Sequence, residues 1–161
     1  MARSAELDPI DWRILAVLQE DASLSVQAIG ERVGLSANPC WRRIKRMEEA
    51  GIIARRVALV DPASIGLAMT VFVAIRTNRH DPEWLAAFSR GIAGIAEITE
   101  CHRMAGDIDY MLKLRVRDMA DYDRIYQRLI AEVPGLSDVT ASFSMEELKA
   151  TTALPGPHGA R

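Results

Sequence analysis

Residues 36–49 read SANPCWRRIKRMEE, and this stretch decides how the rest of the chain is understood. At about 100° per residue, Cys40, Ile44 and Met47 fall on one side of a helix, and Asn38, Arg42, Lys45 and Arg46 fall on the other. Ser36 or Asn38 can cap its start, Pro39 is harmless in the first turn, and Gly51 supplies a stop. One face packs and the other is basic. Arginine pairs bidentately with guanine edges, asparagine with adenine, and lysine neutralises phosphate, so the second face suits the major groove of duplex DNA. Arg42 is the residue best placed to read bases, and Ser36, Asn38, Trp41, Lys45 and Arg46 complete the candidate face. Trp41 lies on its flank, where it either touches sugar-phosphate or covers the bundle, and Arg43 turns toward the core. A helix that merely pairs its basic face with Glu48 and Glu49 in water would look the same in isolation, so its neighbours matter.

Upstream, Asp8-Pro9 opens a first helix with Ile14, Leu15 and Leu18 on one face, running to about Asp21. Ser23 or Ser25 caps a second, with Val26, Ile29 and Val33 as its buried stripe, Gly34 as its left-handed stop and Leu35 under the turn. Three short helices with a tight turn before the basic one read as a helix-turn-helix domain over residues 1–52.

Downstream, the segment Ile52 to Val60 (IIARRVALV) is β-branched and apolar apart from two arginines, and reads as a strand. Asp61-Pro62 then turns the chain into a hinge through Gly66, giving a linker over residues 53–68. A strand at Thr70–Arg76 follows, then a helix at Pro82–Gly91 burying Leu85, Phe88 and Ile92, then a strand at Glu97–Met104. The pattern repeats as a strand at Asp109–Val116, a helix at Met119–Glu132 with Tyr122, Ile125 and Leu129 on one stripe, and a strand at Val139–Met145. The order βαββαβ is the ferredoxin-like arrangement, a four-stranded antiparallel sheet with both helices on one face, here over residues 69–150. In the last strand Val139, Ala141, Phe143 and Met145 should meet the helices, leaving Thr140, Ser142 and Ser144 on the opposite face. That opposite face needs a partner. The fold class is α+β, and the proline- and glycine-rich tail over residues 151–161 is expected to be an arm or disordered.

A formal net charge of -2 excludes a protein that coats nucleic acid wholesale, so any contact must come from a local cluster such as the third helix. Cys40 and Cys101 are far apart without metal-ligand spacing, which points to no disulfide framework, no metal and a reducing cytoplasm. No signal core and no membrane-length apolar run is present in the sequence. Cys101, His102, Asp107 and Asp109 invite an enzymatic reading. Adjacent strand residues point to opposite faces, however, and the aspartates follow a turn, so the chain is not expected to be an enzyme. The turn Ala105-Gly106-Asp107 can offer backbone amides to a small carboxylate, although on composition alone an ordinary hairpin is the simpler reading.

The run LSANPCWRRIKRMEEAGII, then ALVDPASIGL, ECHRMAGDIDYMLKLRVRDMADYDRIYQRLIAEVPGLSDV and FSMEELK, resembles the Lrp/AsnC family of feast/famine transcriptional regulators from Leu7 to about Pro155. The order and spacing of these motifs, rather than any single one, carry the resemblance. It implies an N-terminal winged helix-turn-helix and a C-terminal ferredoxin-like RAM domain that dimerises through its sheet and senses amino acids. It further implies that the turn Gly106-Asp107-Ile108-Asp109-Tyr110 contributes to an effector pocket between dimers, in higher assemblies such as octamers. Met104 and Ala105 would line the approach, and Ser142 and Ser144 would border the pocket. No cofactor is implied beyond the amino-acid effector. Within the family, TNRHDPEW, RMAGDIDYM and NPCWRRIKRMEEAGI look most like regulators that respond to cysteine and control cysteine detoxification, with leucine or another amino acid as the alternative effector. A stand-alone small-molecule-binding protein of ferredoxin-like fold is the rival outside this class, and it leaves the basic helix face unexplained.

Overall fold

Asp8 sets the start of the helical part of the chain. Its carboxylate accepts the N–H groups of Ile10 at 2.8 Å and Asp11 at 2.9 Å, while the Asp11 carboxylate accepts the Asp8 N–H at 3.1 Å. This reciprocal cap, with Pro9 in the first turn, fixes α1 (Pro9–Glu20). The computed structural model describes residues 6–157; the first five residues of the expected helical domain and the last four of the tail lie outside the described residues.

Ser25, rather than Ser23, caps α2 (Val26–Val33) by accepting the Ala28 N–H at 3.2 Å. Gly34 ends that helix in the left-handed region at φ +74°, and the Leu35 N–H returns to the Gly30 carbonyl at 2.8 Å. Gly30 is required by space, because a Cβ there would stand 2.6 Å from the Leu35 carbonyl oxygen. Helix α3 (Ala37–Glu49) follows at once, with Ser36 at the N-cap position but making no side-chain cap. Cys40, Ile44 and Met47 of α3 are buried with Ile14, Leu15, Ile29 and Val33, so the apolar stripes read from the sequence do form one core.

The expected strand from Ile52 to Val60 is absent. Ile52 and Ile53 pack against the helical core, and residues 54–60 run exposed without regular structure. A β-branched segment becomes a strand only where a neighbour completes its ladder, and among the described residues none pairs with it. Asp61 then accepts the N–H groups of Ala63 and Ser64, closing a short 3-10 turn at Ala63–Ile65.

The remaining elements are β1 (Met69–Thr77), α4 (Pro82–Ala93), β2 (Ile98–Arg103), β3 (Tyr110–Val116), α5 (Met119–Glu132) and β4 (Leu136–Phe143). The sheet order is β2-β3-β1-β4, with every neighbouring pair antiparallel, which is the ferredoxin-like topology. Val71, Val73, Ile75, Leu112 and Leu114 point to the helix side and are buried with Ile125 and Leu129 of α5. On α4 the buried positions are Trp84, Phe88 and Gly91, with Ile92 partly buried, whereas Leu85 is exposed. The stripe lies one residue earlier than expected because Trp84 anchors it: its indole N–H donates to the Pro134 carbonyl at 2.7 Å and its ring stacks on Phe88. On β4, Val139 and Ala141 do face the helices, and Phe143 meets Tyr122 edge-on at 5.1 Å. Met145 lies past the end of the strand and is fully exposed, contrary to the expected alternation.

Among the described residues the chain divides into two compact units, one up to Ala58 together with the residues from Lys149 on, the other Leu59–Leu148. The described part of the tail, residues 151–157, therefore belongs to the helical unit. It has no regular structure, and the Leu154 N–H donates to the Gln19 side chain at 2.7 Å. No helix among the described residues is long and apolar enough to cross a membrane.

Candidate DNA-binding face and effector hairpin

Ser36, Asn38, Trp41, Arg42, Lys45 and Arg46 are all exposed, opposite the buried Cys40, Ile44 and Met47. The structure thus brings Asn38, Trp41, Arg42, Lys45 and Arg46 onto the outward side of one helix, with Ser36 at its N-cap. Their charges are not equally free. Lys45 stands 3.7 Å from Glu48, which also holds Arg56 at 3.0 Å, while Arg42 makes no ion pair among the described residues. The Ser36 hydroxyl is not spent on capping. Trp41 stays more than half exposed, so it does not cover the bundle.

Arg46 is exposed but paired, its Nη2 donating to Asp11 Oδ2 at 2.5 Å. Arg43 Nη1 bridges Asp8 at 2.6 Å and Asp11 at 2.8 Å, which makes it the structural member that its core-side position implied. The Asp11 N–H and the Arg43 guanidinium hold the Asp8 carboxyl below its ordinary range, and the two aspartates raise Arg43 in turn. Asp11 itself is completely buried and was not singled out in the sequence. A signal for it existed: positions 11, 14, 15 and 18 form one helical stripe, and a carboxylate in an otherwise apolar stripe requires a cation from another element.

The hairpin between β2 and β3 carries the second candidate group. Ala105, Gly106 and Asp107 are exposed, Met104 is 41% exposed, and Gly106 adopts φ +136°, which side chains with a Cβ rarely tolerate. Asp109 faces inward instead. Its N–H donates to the Ile75 carbonyl at 2.9 Å, and its carboxylate accepts the Thr77 N–H at 2.8 Å, so it locks the hairpin to the end of β1. Tyr110 is not presented beside the exposed turn: it is 5% exposed and packs at 4.4 Å on Phe88, as part of the core. Within one subunit the sheet does not bring Ser142 and Ser144 to this hairpin. Tyr110 pairs with Ile75, whereas Ser142 pairs with Phe72 and Ser144 bonds to Thr70, so the serines lie toward the other end of the sheet from the hairpin.

The register also separates the residues of the enzymatic reading. Cys101 lies opposite the buried Leu112, on the helix side, while His102 lies opposite Met111 on the open face and contacts Glu100 at 3.3 Å. Cys101 is exposed on this edge strand, and partial desolvation by its neighbours pushes its thiol up.

A helical unit presenting a basic face, followed by a ferredoxin-like unit with an exposed glycine hairpin, defines the class of ligand-responsive DNA-binding regulators. Comparison with known proteins agrees with that class. Residues 7–54 match the winged helix-turn-helix DNA-binding family model, and residues 70–154 match the Lrp/AsnC ligand binding domain. The chain is 50% identical over 149 residues to the DNA-binding transcriptional activator DecR of Escherichia coli strain K12, covering 92% of this chain and 98% of that protein. It is 49% identical over 152 residues to the glutamate uptake regulatory protein of Zymomonas mobilis, covering 94% and 92%. Among solved structures, an AsnC family transcriptional regulator from Agrobacterium tumefaciens superposes with a TM-score of 0.89 at 49% identity, covering 92% of this chain and 97% of that one. Transcriptional regulator NMB0573 of Neisseria meningitidis in complex with L-Met superposes with a TM-score of 0.88 at 33% identity, covering 93% and 97%. The chain belongs to the Lrp/AsnC family: it is a DNA-binding transcriptional regulator with an amino-acid ligand-binding domain.

Proposed function

We propose that this regulator reads operator DNA through Ser36, Asn38, Trp41, Arg42, Lys45 and Arg46, and that an amino acid held at the Met104–Asp107 hairpin adjusts that binding. The observation that carries the reading is the exposed basic face of α3 opposite its buried stripe. Two such helices on a two-fold axis would meet successive major grooves, so the working unit is a homodimer, with dimers assembling further, up to octamers. The side of the sheet away from the helices supports this, since Phe72, Ala74 and Met111 leave apolar surface there for a second copy to cover.

At the hairpin, backbone amides around Gly106 suit an α-carboxylate and Asp107 suits an α-ammonium group. Asp109 and Tyr110 hold this hairpin from behind. The effector side chain we favour is cysteine, from the likeness of the Thr77–Trp84 and Arg103–Met111 motifs to cysteine-responsive members; leucine or another amino acid is the alternative. L-Met in the Neisseria meningitidis relative supports an amino acid as the class of ligand. The chain acts by binding in the cytoplasm and catalyses no reaction.

Arg42→Ala combined with Lys45→Ala should weaken duplex binding by about 1–3 kcal/mol for the base-reading arginine and flatten the salt dependence by about one unit for the lysine. Unchanged affinity would reject this face. A thermal-shift screen against the common amino acids identifies the effector, and Gly106→Leu should abolish the shift. Among the described residues nothing lies within 4 Å of a Cβ at Gly106, so that variant acts through the backbone of the loop, strained at φ +136°, and through the ligand rather than through packing.

A further inference from the structure

We infer that Asp11, on the first helix, is a positioning residue for operator recognition: a buried carboxylate that holds the Arg46 guanidinium in place at the edge of the α3 face. The inference rests on the DNA face proposed above. Asp11 is 0% exposed, yet one of its partners reaches the surface, the Arg46 side chain being 53% exposed. Asp11 Oδ1 accepts from Arg43, and Oδ2 accepts from Arg46 and from the Asp8 N–H. A carboxylate taken out of water needs such partners, so Arg46 is bound to it by a demand of the core.

A guanidinium has five N–H donors in a fixed fork. Donating from Nη2 to Asp11 leaves Nε and Nη1 for the duplex, and among the described residues Arg46 has no other side-chain partner. An arginine held in this way has already lost rotamer freedom that it would otherwise lose on binding. The contrast is Lys45, whose 3.7 Å contact with Glu48 joins two partly exposed side chains and is free to break.

The alternative has the opposite sign. If Asp11 only neutralised Arg46, Asp11→Asn would release positive charge toward phosphate and tighten binding to every duplex. If Asp11 positions Arg46, the same variant weakens the operator selectively.

The test measures binding of the full chain to a duplex selected in vitro with the wild type, against a shuffled duplex of the same composition. Asp11→Asn should lose operator affinity roughly five- to hundred-fold, with a much smaller loss on the shuffled duplex. Arg46→Lys keeps the charge but cannot bond Asp11 and the duplex through one planar fork. It should lose operator preference similarly while keeping the salt slope, and the double variant should be no worse than either single one. Operator binding by Asp11→Asn that equals or exceeds wild type overturns the inference, as do losses that multiply in the double variant. Should Asp11→Asn fail to melt cooperatively, Arg46→Lys decides alone, since Asp11 keeps Arg43; an unchanged operator preference there overturns the inference. Arg42→Ala in the same assay separates the two levels. Unchanged binding there rejects the face itself, whereas loss there with wild-type behaviour in both other variants rejects only the role of Asp11.

Discussion

Replacing Gly30 by alanine puts a methyl group where the turn into α3 leaves no space for one. Its Cβ would sit 2.6 Å from the Leu35 carbonyl oxygen and 3.5 Å from the carbonyl carbons of Leu35 and Ser36. To reach an ordinary contact the Leu35 carbonyl must retreat by about 0.8 Å. The obstacle is backbone, tied down by the Leu35 N–H bond to Gly30 and by the left-handed Gly34, so no side chain can swing away to relieve it. Overpacking of this kind costs about 1–3 kcal/mol, and alanine returns about 0.8–1.0 kcal/mol of helix propensity. With a rigid obstacle the upper part of the range applies, which leaves a net loss of about 1–2 kcal/mol. For a unit of this size that lowers the melting temperature by roughly 4–15 °C. Helical circular dichroism on heating measures it. Because Ser36 and α3 begin at the displaced carbonyl, operator affinity should fall as well at temperatures where the variant is fully folded. A variant that melts at or above wild type would refute the reasoning, since it would mean the turn yields without cost.

Asp109→Ala should destabilise the sheet unit by about 1–3 kcal/mol by stranding the Thr77 N–H, and Asp109→Asn, which keeps an acceptor, should lose much less; equal losses in chemical denaturation would count against this lock. The Asp8 carboxyl is held below its ordinary value in the folded chain, so its contribution is present above the unfolded pKa of about 4 and is lost as pH falls through the lower folded one. Acid titration of the melting temperature should therefore be steeper in that range for wild type than for Asp8→Asn, and identical slopes would contradict it.

The sequence carried the helical unit almost completely, because its signals are local. Asp8-Pro9 and Gly34 each act within one turn of chain and the Cys40, Ile44, Met47 stripe within about two, and the structure uses each as read. The βαββαβ order was legible for the same reason, with α5 found at Met119–Glu132 as expected. What escaped was set by distant partners. The segment from Ile52 to Val60 has the residues of a strand but no ladder, and Trp84 outranks Leu85 because Pro134 offers its indole an acceptor from 50 residues away. At the candidate sites the division is similar. The outward face of α3 was readable from periodicity, but the pairing of Arg46 with Asp11 spans 35 residues and depends on how α1 lies against α3. Tyr110 was adjacent to the hairpin in sequence, and strand alternation turned it inward.

The three tryptophans fall in environments that make the chain its own optical reporter. Trp84 is sealed in the sheet unit beside Phe88 and Tyr110, Trp41 stands in solvent on α3, and Trp12 is partly covered on α1. Emission from the sealed ring should be blue-shifted and respond to loss of the sheet core, while emission from the exposed ring should be red-shifted and change when a duplex covers it. A Trp12→Phe background would leave one emitter in each unit, so that a single spectrum follows ligand-domain integrity and operator occupancy together.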